Sequence, residues 1–511
     1  MKFLSDFKPD ISSGFSVALV ALPLSIGIAL ASGAPASSGI MAAIIGGLIG
    51  SWLGGCQVTI NGPAAGLIVI VLDAITSMSH GNPVQGMKGM LAAAVVAGAI
   101  QTIFGLMKLG RKGTAFPTSV IHGMMAAIGL IIIAKQVHNL FGHVPHSKNP
   151  IMLFAEIPSA FMNMQPKVFA IGMISLVFLV GITKAKAAWM KKIPAPLLTI
   201  TLGAVLAAMM GLTGKELLTI PTDFSQWIIL PDFSVMTTFV GWKSAITLAL
   251  VGSLETVLSA SAVDKLDPQH RKSDLDRDLT SKGICNMLSA SVGGLPMIAE
   301  IVRSSANVSF GAKTWRSNFF HGVVILALVL LAPKALALIP LASLAAILVM
   351  VGSRLGSPAH FMHAMKIGPD NLIGFVVTLL VTLSVDLLVG IFAGAIVQFA
   401  VEMYMGLKIK NLIHPFFAIS LKGKDEEIKI ESALTFSNFI EVRDEIMKGL
   451  TENKNVILDL KESDYIDHNV MEEIEDLKNT FISKNLTLTI CLSEGHHSLG
   501  KESSSALKRT A

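Results

Sequence analysis

The stretch that decides the fold is GGLPMIAEIVRSSAN, residues 293–307. It lies between two long apolar segments, opens on a Gly-Gly-Leu-Pro breaker and places Glu300 and Arg303 three residues apart. An ionisable side chain at the centre of a bilayer costs at least ~2.5 kcal/mol, so such residues default to a functional reading. A second stretch, QVTINGPAAGLIVIV (57–71), has the same grammar. Each begins with a polar or Gly-rich approach, passes a proline, and continues as an apolar helix too short to cross. Proline suits the first helical turn, where its missing N–H has no partner to lose. Pro63 and Pro296 therefore predict helix N-termini near mid-membrane. A helix N-terminus carries about half a positive charge and free N–H donors, which suits an anion. Irregular backbone at membrane depth is tolerated only inside protein or beside water, and paired interrupted segments in the two halves of a chain point to a transporter's site. The plainer alternative is two kinked helices without a ligand.

Composition sets the context. The chain has 511 residues, 52% of them hydrophobic and 15% charged, with a mean hydropathy of +0.65. Soluble domains carry about 25% charged residues, so a polytopic membrane protein is expected. The apolar runs give about fourteen membrane segments, each near the roughly 20 residues that span a bilayer. Lys108, Arg111, Lys184, Lys265, Arg271, Lys282, Arg354 and Lys408 fall in loops on one side, and the positive-inside rule makes that side cytoplasmic, with both termini. The run from about Ile11 to Gly33 is too long for a signal-peptide core and is expected to be retained. Cys56, Cys285 and Cys491 are too far apart in sequence for a disulfide framework or a metal site. The net charge of +5 reflects loop lysines and arginines; no nucleic-acid partner is expected.

The chain changes character after about residue 410, so it divides into a transmembrane domain, 1–410, and a cytoplasmic domain, 411–511. In the tail, the KIES stretch near 429–432, NVILDL at 455–460 and LTLTICL at 486–492 read as strands. SNFIEVRDEIMKGL at 437–450 and the stretch 470–482 read as helices, which together argue a small α/β domain. The polar, Ser-rich GHHSLGKESSSALKRTA is expected to be a flexible end.

Within the membrane part, Glu255 stands in the otherwise apolar LVGSLETVLSASAVDKL (250–266), with Ser259 one turn away on the same helix face. That carboxylate and hydroxyl could bind Na⁺, or the carboxylate could carry a proton; a hydrogen bond between helices is the structural alternative. Glu300 and Arg303 at i,i+3 could likewise be a salt bridge. His122, His321, His360 and His363 read as loop or packing residues. No P-loop, serine elbow or nucleotide fingerprint is present, so neither an enzyme nor an ATP-driven pump is expected, and no cofactor is expected beyond Na⁺ or H⁺ as a coupling ion.

Four stretches, VALVALPLSIGIALASGAP (17–35), QVTINGPAAGLIVIV (57–71), GSLETVLSASAVDKL (252–266) and GGLPMIAEIVRSSANV (293–308), together resemble the SulP sulfate-permease family, in order, with a STAS-like domain following. The resemblance implies two inverted seven-segment repeats, forming a core domain that moves against a gate domain. It implies secondary transport of sulfate, bicarbonate or a related small inorganic anion held between two half-helix N-termini. Carried over by position, the anion region is Gly62, Pro63, Ala64 and Ala65 on the first half-helix, and Ala299, Glu300, Ile301 and Arg303 on the second; the unwinding at residues 293–296 is itself expected to turn the N–H groups of Met297, Ile298 and Ala299 toward the anion. Glu255 and Ser259 match a sodium-binding acid and hydroxyl. Ala64 and Ile301 lack the hydroxyls common in bicarbonate-transporting members, and Glu300 stands where many members have a small neutral residue. A proton-coupled dicarboxylate or nucleobase carrier, or a channel or exchanger with STAS-mediated signalling, is the alternative. Asp467 is followed by His468, not by the phosphorylatable serine of related STAS domains. The expected setting is a bacterial inner membrane, with the lipid bilayer and a second copy of the chain, joined through the STAS-like domain, as partners.

Overall fold

A computed structural model describes residues 2–111, 116–147, 149–184, 194–221, 223–269, 271–412, 414–422 and 425–509. The chain divides into two compact units, Met1–Thr114 with Ile128–Leu355, and Ala115–Ala127 with Gly356–Ala511. In order, the helices of the membrane part are α1 (Lys2–Ala31), α2 (Ala36–Leu48), α3 (Gly50–Leu53), α4 (Ile68–Ser77), α5 (Pro83–Leu106), α6 (Thr118–Phe141), α7 (Pro150–Met162), α8 (Pro166–Lys184) and α9 (Ala195–Met209). They continue as α10 (Phe239–Leu266), α11 (Leu275–Ser291), α12 (Ile301–Ser309), α13 (Arg316–Leu331), α14 (Pro333–Leu336), α15 (Leu341–Leu355), α16 (Pro358–Ile367), α17 (Pro369–Ser384) and α18 (Leu387–Met405).

Among the described residues, seven stretches of helix are long and apolar enough to cross a membrane, and six apolar helices are shorter. Local chemistry sets their ends. The Asn82 side chain accepts from Val84 N with Pro83 beside it, and Thr238 accepts from Gly241 N. Asp274 and Asp386 do the same for α11 and α18. Each satisfies a backbone donor that the first helical turn leaves open. In the first unit, α1 packs against α2, α13 and α15, through Leu22, Ile26, Ile40, Ile325 and Ile347. Large apolar side chains such as Met209, Leu331 and Leu106 remain exposed on the outside, the surface that lipid covers.

The membrane part is not wholly helical. Two three-residue strands, β1 (Ile60–Gly62) and β2 (Ile298–Glu300), pair antiparallel with Asn61 opposite Ala299. This corrects the expected helix starts. After Pro63 the chain makes a 3-10 turn at Ala65–Leu67 before α4, and α12 begins at Ile301, five residues past Pro296. Pro63 follows β1 directly, whereas Pro296 lies inside the irregular run that leads into β2, and the strand pairing claims residues 298–300 ahead of α12.

In the second unit, β3 (Phe417–Lys422) and β4 (Asp425–Ile430) form a hairpin, β4 pairs parallel with β5 (Val456–Asp459), and β5 pairs parallel with β7 (Leu488–Cys491). Two helices, α19 (Phe439–Thr451) and α20 (His468–Ser483), complete the α/β domain. Its core gathers Ile428, Ile430, Phe439, Val442, Leu458, Ile474 and Phe481, the period-2 and period-3.6 apolar positions of the sequence. The polar end is not a flexible tail through Arg509. It folds back as β8 (His496–Ser498) and β9 (Leu507–Arg509), with β9 pairing β6 (Tyr465–Ile466). A chain stopped after Gly495 is therefore expected to expose the β6 edge. Limited proteolysis near Asp464 should accelerate at least about threefold, as a local opening of under 1 kcal/mol would give; an unchanged cleavage rate would show that β9 adds nothing.

Candidate functional site

The irregular segments are held by side-chain amides and hydroxyls, because backbone donors and acceptors in the membrane interior must find partners within the protein. Asn61 N donates to Asn318 Oδ1 at 3.2 Å, and the Asn61 and Asn318 amides both donate to Gly46 O. Ile60 N donates to Ser304 Oγ at 2.9 Å, and Asn307 Nδ2 donates to Val58 O. On the other segment, Met297 N donates to Asn286 Oδ1 at 2.6 Å, and Asn286 Nδ2 donates to Met297 O and Gln101 Oε1. Ser289 Oγ donates to Leu295 O, and Leu295 N to Ser38 O. Met297's N–H is thus spent on Asn286 and does not point into open space, contrary to the expectation for residues 297–299.

Because β1 and β2 run antiparallel, α4 and α12 leave the pair in opposite directions. Their N-terminal turns lie at the two ends of one short ladder, each contributing about half a positive charge. Glu300 is the N-cap of α12, its Oε2 accepting from Arg303 N at 2.8 Å. Arg303 is 0% exposed, the largest of the fully buried side chains. Its Nη2 donates to Pro63 O at 3.0 Å, and its Nε lies 4.0 Å from Glu300 Oε2. Its Nε and Nη1 have no hydrogen-bond partner. A buried guanidinium with two idle donors is costly unless something accepts from them.

Two glycines make the arrangement sterically open. A Cβ on Gly62 would collide with Arg303 Nη1, and one on Gly66 would collide with the Glu255 carboxylate. The Glu255 side chain therefore lies in the notch left by Gly66, over the start of the first half-helix. A cavity beside this group is lined by Ala65, Glu300 and Arg303, with apolar walls from Leu24 and Ile28 of α1 and Leu348 and Val351 of α15.

The structure thus brings together Gly62, Pro63, Ala65, Glu255, Glu300 and Arg303. Ala64 precedes the 3-10 turn, Ile298 and Ala299 are in β2, and Ile301 starts α12 half-exposed. Ser259 follows Glu255 by one turn of α10. Beside them, Ser253 Oγ and Thr256 Oγ1 are buried without partners. Sequence reading did not single out Gly66, Asn286, Ser304, Asn307 or Asn318. Amides in apolar helices were the available signal. Among the described residues no three His, Cys, Asp or Glu side chains are arranged to hold a metal ion.

Comparisons with known proteins show the family and the fold. Residues 7–381 match the sulfate permease family and residues 418–495 the STAS domain, so the chain belongs to the sulfate permease family and carries a STAS domain. A putative sulfate transporter, YvdB of Bacillus subtilis, is 27% identical over 95% of this chain and 92% of its own length. The bicarbonate transporter BicA of Picosynechococcus is 27% identical over 77% of this chain and 69% of its own. Among solved structures, the transmembrane domain of a cyanobacterial BicA superposes with a TM-score of 0.63 at 24% identity, covering 76% of this chain and 97% of that one. Murine Slc26a9, an anion transporter captured facing inward, gives 0.68 at 18% identity, over 95% of this chain and 85% of that one. These likenesses show the fold.

Replacing Asn286 by Ala leaves Met297 N and O without their side-chain partner. Each orphaned buried group costs about 1–3 kcal/mol, so the variant is expected to unfold at lower temperature in detergent than wild type. An unchanged melting temperature would mean that other groups satisfy this backbone.

Proposed function

We propose that the chain is a secondary active transporter of a small inorganic anion, sulfate or bicarbonate, coupled to Na⁺ or H⁺ in a bacterial cell membrane. The observation that carries this is Arg303, fully buried between the two half-helices with Nε and Nη1 free. The relatives that transport sulfate and bicarbonate support the substrate class. On this reading the anion accepts from the idle guanidinium donors, and the opposed helix N-termini supply further positive potential. Glu300, 4.0 Å from Arg303 Nε, moderates that potential, so the site binds weakly enough to release its cargo. Glu255, on the first half-helix through the Gly66 notch, is the coupling group. Its negative charge opposes the anion until a cation neutralises it, and Ser259 offers a hard oxygen of the kind Na⁺ takes. Cation and anion then favour each other's binding, reciprocally. Both chain ends lie on the cytoplasmic side, and the STAS domain joins two copies.

Uptake of radiolabelled sulfate and bicarbonate into proteoliposomes, under imposed Na⁺ or H⁺ gradients, tests the reading. Gradient-dependent accumulation of one of them is expected; accumulation of neither overturns it. Arg303→Ala should weaken anion binding at least about tenfold, since a hydrogen bond to a charged group contributes about 1.5–3 kcal/mol. Normal binding with reduced thermal stability alone would make Arg303 and Glu300 a structural pair. Glu255→Gln should still bind the anion but lose accumulation against its gradient. Accumulation equal to wild type would remove Glu255 from coupling.

A further inference from the structure

Away from the Arg303 site, the second unit contains three buried carboxylates close together, one from each of three elements. Glu402, in α18, is 0% exposed, and neither carboxylate oxygen has a hydrogen-bond partner. Asp370, in the first turn of α17, accepts from Tyr465 Oη at 2.9 Å through Oδ2, while its Oδ1 has no partner. Asp467, the N-cap of α20, accepts from Val470 N at 3.1 Å and Phe436 N at 2.6 Å. Glu402 O accepts from Leu407 N at 3.0 Å, Leu407 shares a buried cluster with Tyr465, and Tyr465 stands two residues before Asp467. Gln398, one turn before Glu402, engages Ser119 Oγ through its Oε1.

The cluster holds the STAS domain against the membrane helices of its own unit. Tyr465 and Asp467 belong to the STAS domain, as does Asn469, whose Oδ1 accepts from Thr118 N and Oγ1. Lys501 N donates to Lys366 O at 2.7 Å. Among the described residues no ion pair reaches Glu402, Asp370 or Asp467. The nearby cations are engaged elsewhere. Lys508 Nζ lies over the Tyr404 ring and 3.7 Å from Met405 Sδ, Lys366 pairs with Glu502, and Arg509 pairs with Asp464. The remaining titratable groups are imidazoles. His468 Nδ1 meets Ser504 O at 2.6 Å, with Glu472 at 3.9 Å from its Nε2. Its ring stands 6.4 Å from that of His363, and His122 stands 5.5 Å from His360.

Like charges sharing a buried site cannot all ionise. A proton on Glu402 removes one charge and supplies a donor where the unpartnered oxygens of Glu402 and Asp370 have only acceptors. We propose that Glu402, Asp370 and Asp467 form a proton-binding site that fastens the STAS domain to the α17–α18 pair, tight when protonated and loosened as the proton leaves.

The direction in pH follows from linkage. Burial pushes the Asp467 carboxyl up to about 6, above the ordinary aspartate value near 3.9. Asn469, two residues from Asp467, binds Thr118 of the membrane part, so docking adds to that burial and the docked state holds the proton more firmly than the undocked one. Docking weakens as pH rises toward about 6 and carries the full penalty above that.

Amide hydrogen exchange of the full chain in nanodiscs, corrected for the intrinsic pH dependence of exchange, reads docking at residues 463–471. Between about pH 4.5 and about pH 7.5, protection of this segment in wild type should fall about tenfold, the equivalent of one pKa unit. Glu402→Gln, a permanently neutral mimic of the protonated acid, removes the like charge from the site and should at least halve that fall. Asp467→Asn keeps the helix cap and should flatten the profile as well, which covers the case in which the Glu402 variant fails to fold. Wild-type protection that does not change with pH, or a Glu402→Gln or Asp467→Asn profile that falls as steeply as wild type, overturns the proposal. An acid-side loss of protection in the variants, abolished by His363→Gln, would assign the switch to the histidines and equally overturn it.

Discussion

A backbone that leaves the helix inside a membrane must still satisfy every donor and acceptor, and the rest of this structure follows from how that is done. Six residues of β1 and β2 satisfy part of the demand by pairing with each other. The approaches to them rely on Asn286, Asn318, Asn307, Ser289 and Ser304. With the backbone anchored, two helix N-termini can stop at mid-depth without stranding their neighbours, and Gly62 and Gly66 can bring Arg303 and Glu255 onto them.

Charge placement then has a consistent logic. One buried guanidinium, one N-capping carboxylate and one carboxylate in a glycine notch leave the empty group with more negative than positive formal charge when all are ionised. The partial charges of two helix ends add about one positive unit, which brings the sum near zero.

Much of this was legible in the sequence. The two interrupted segments stood out because a Gly-Pro or Gly-Gly-Leu-Pro breaker in an apolar run has few other meanings, and Glu255 and Arg303 because ionisable residues are rare there. The alternation of strand and helix after residue 410 was plain because each element carries a period of its own. The helix start at Ile301 was not legible. Pro296 reads as a first-turn proline, and only a partner strand far away in the chain turns residues 298–300 into β2. The supporting asparagines were missed for a related reason: a single amide in an apolar helix looks the same whether it points at lipid or at a carbonyl. The C-terminal strands β8 and β9 lack apolar alternation and become strands only through the edge that β6 offers.

The pairing of β1 with β2 also bears on how the protein is made. Pro63 and Arg303 lie 240 residues apart, so the first half-helix is synthesised and delivered to the membrane long before its partner exists. At an elongation rate of about 5–20 residues per second, that interval lasts tens of seconds. Throughout it, Ile60–Gly62 has no ladder and Pro63 O no guanidinium. During biosynthesis this segment must be kept in water or against the insertion machinery, and its burial is among the last events of assembly.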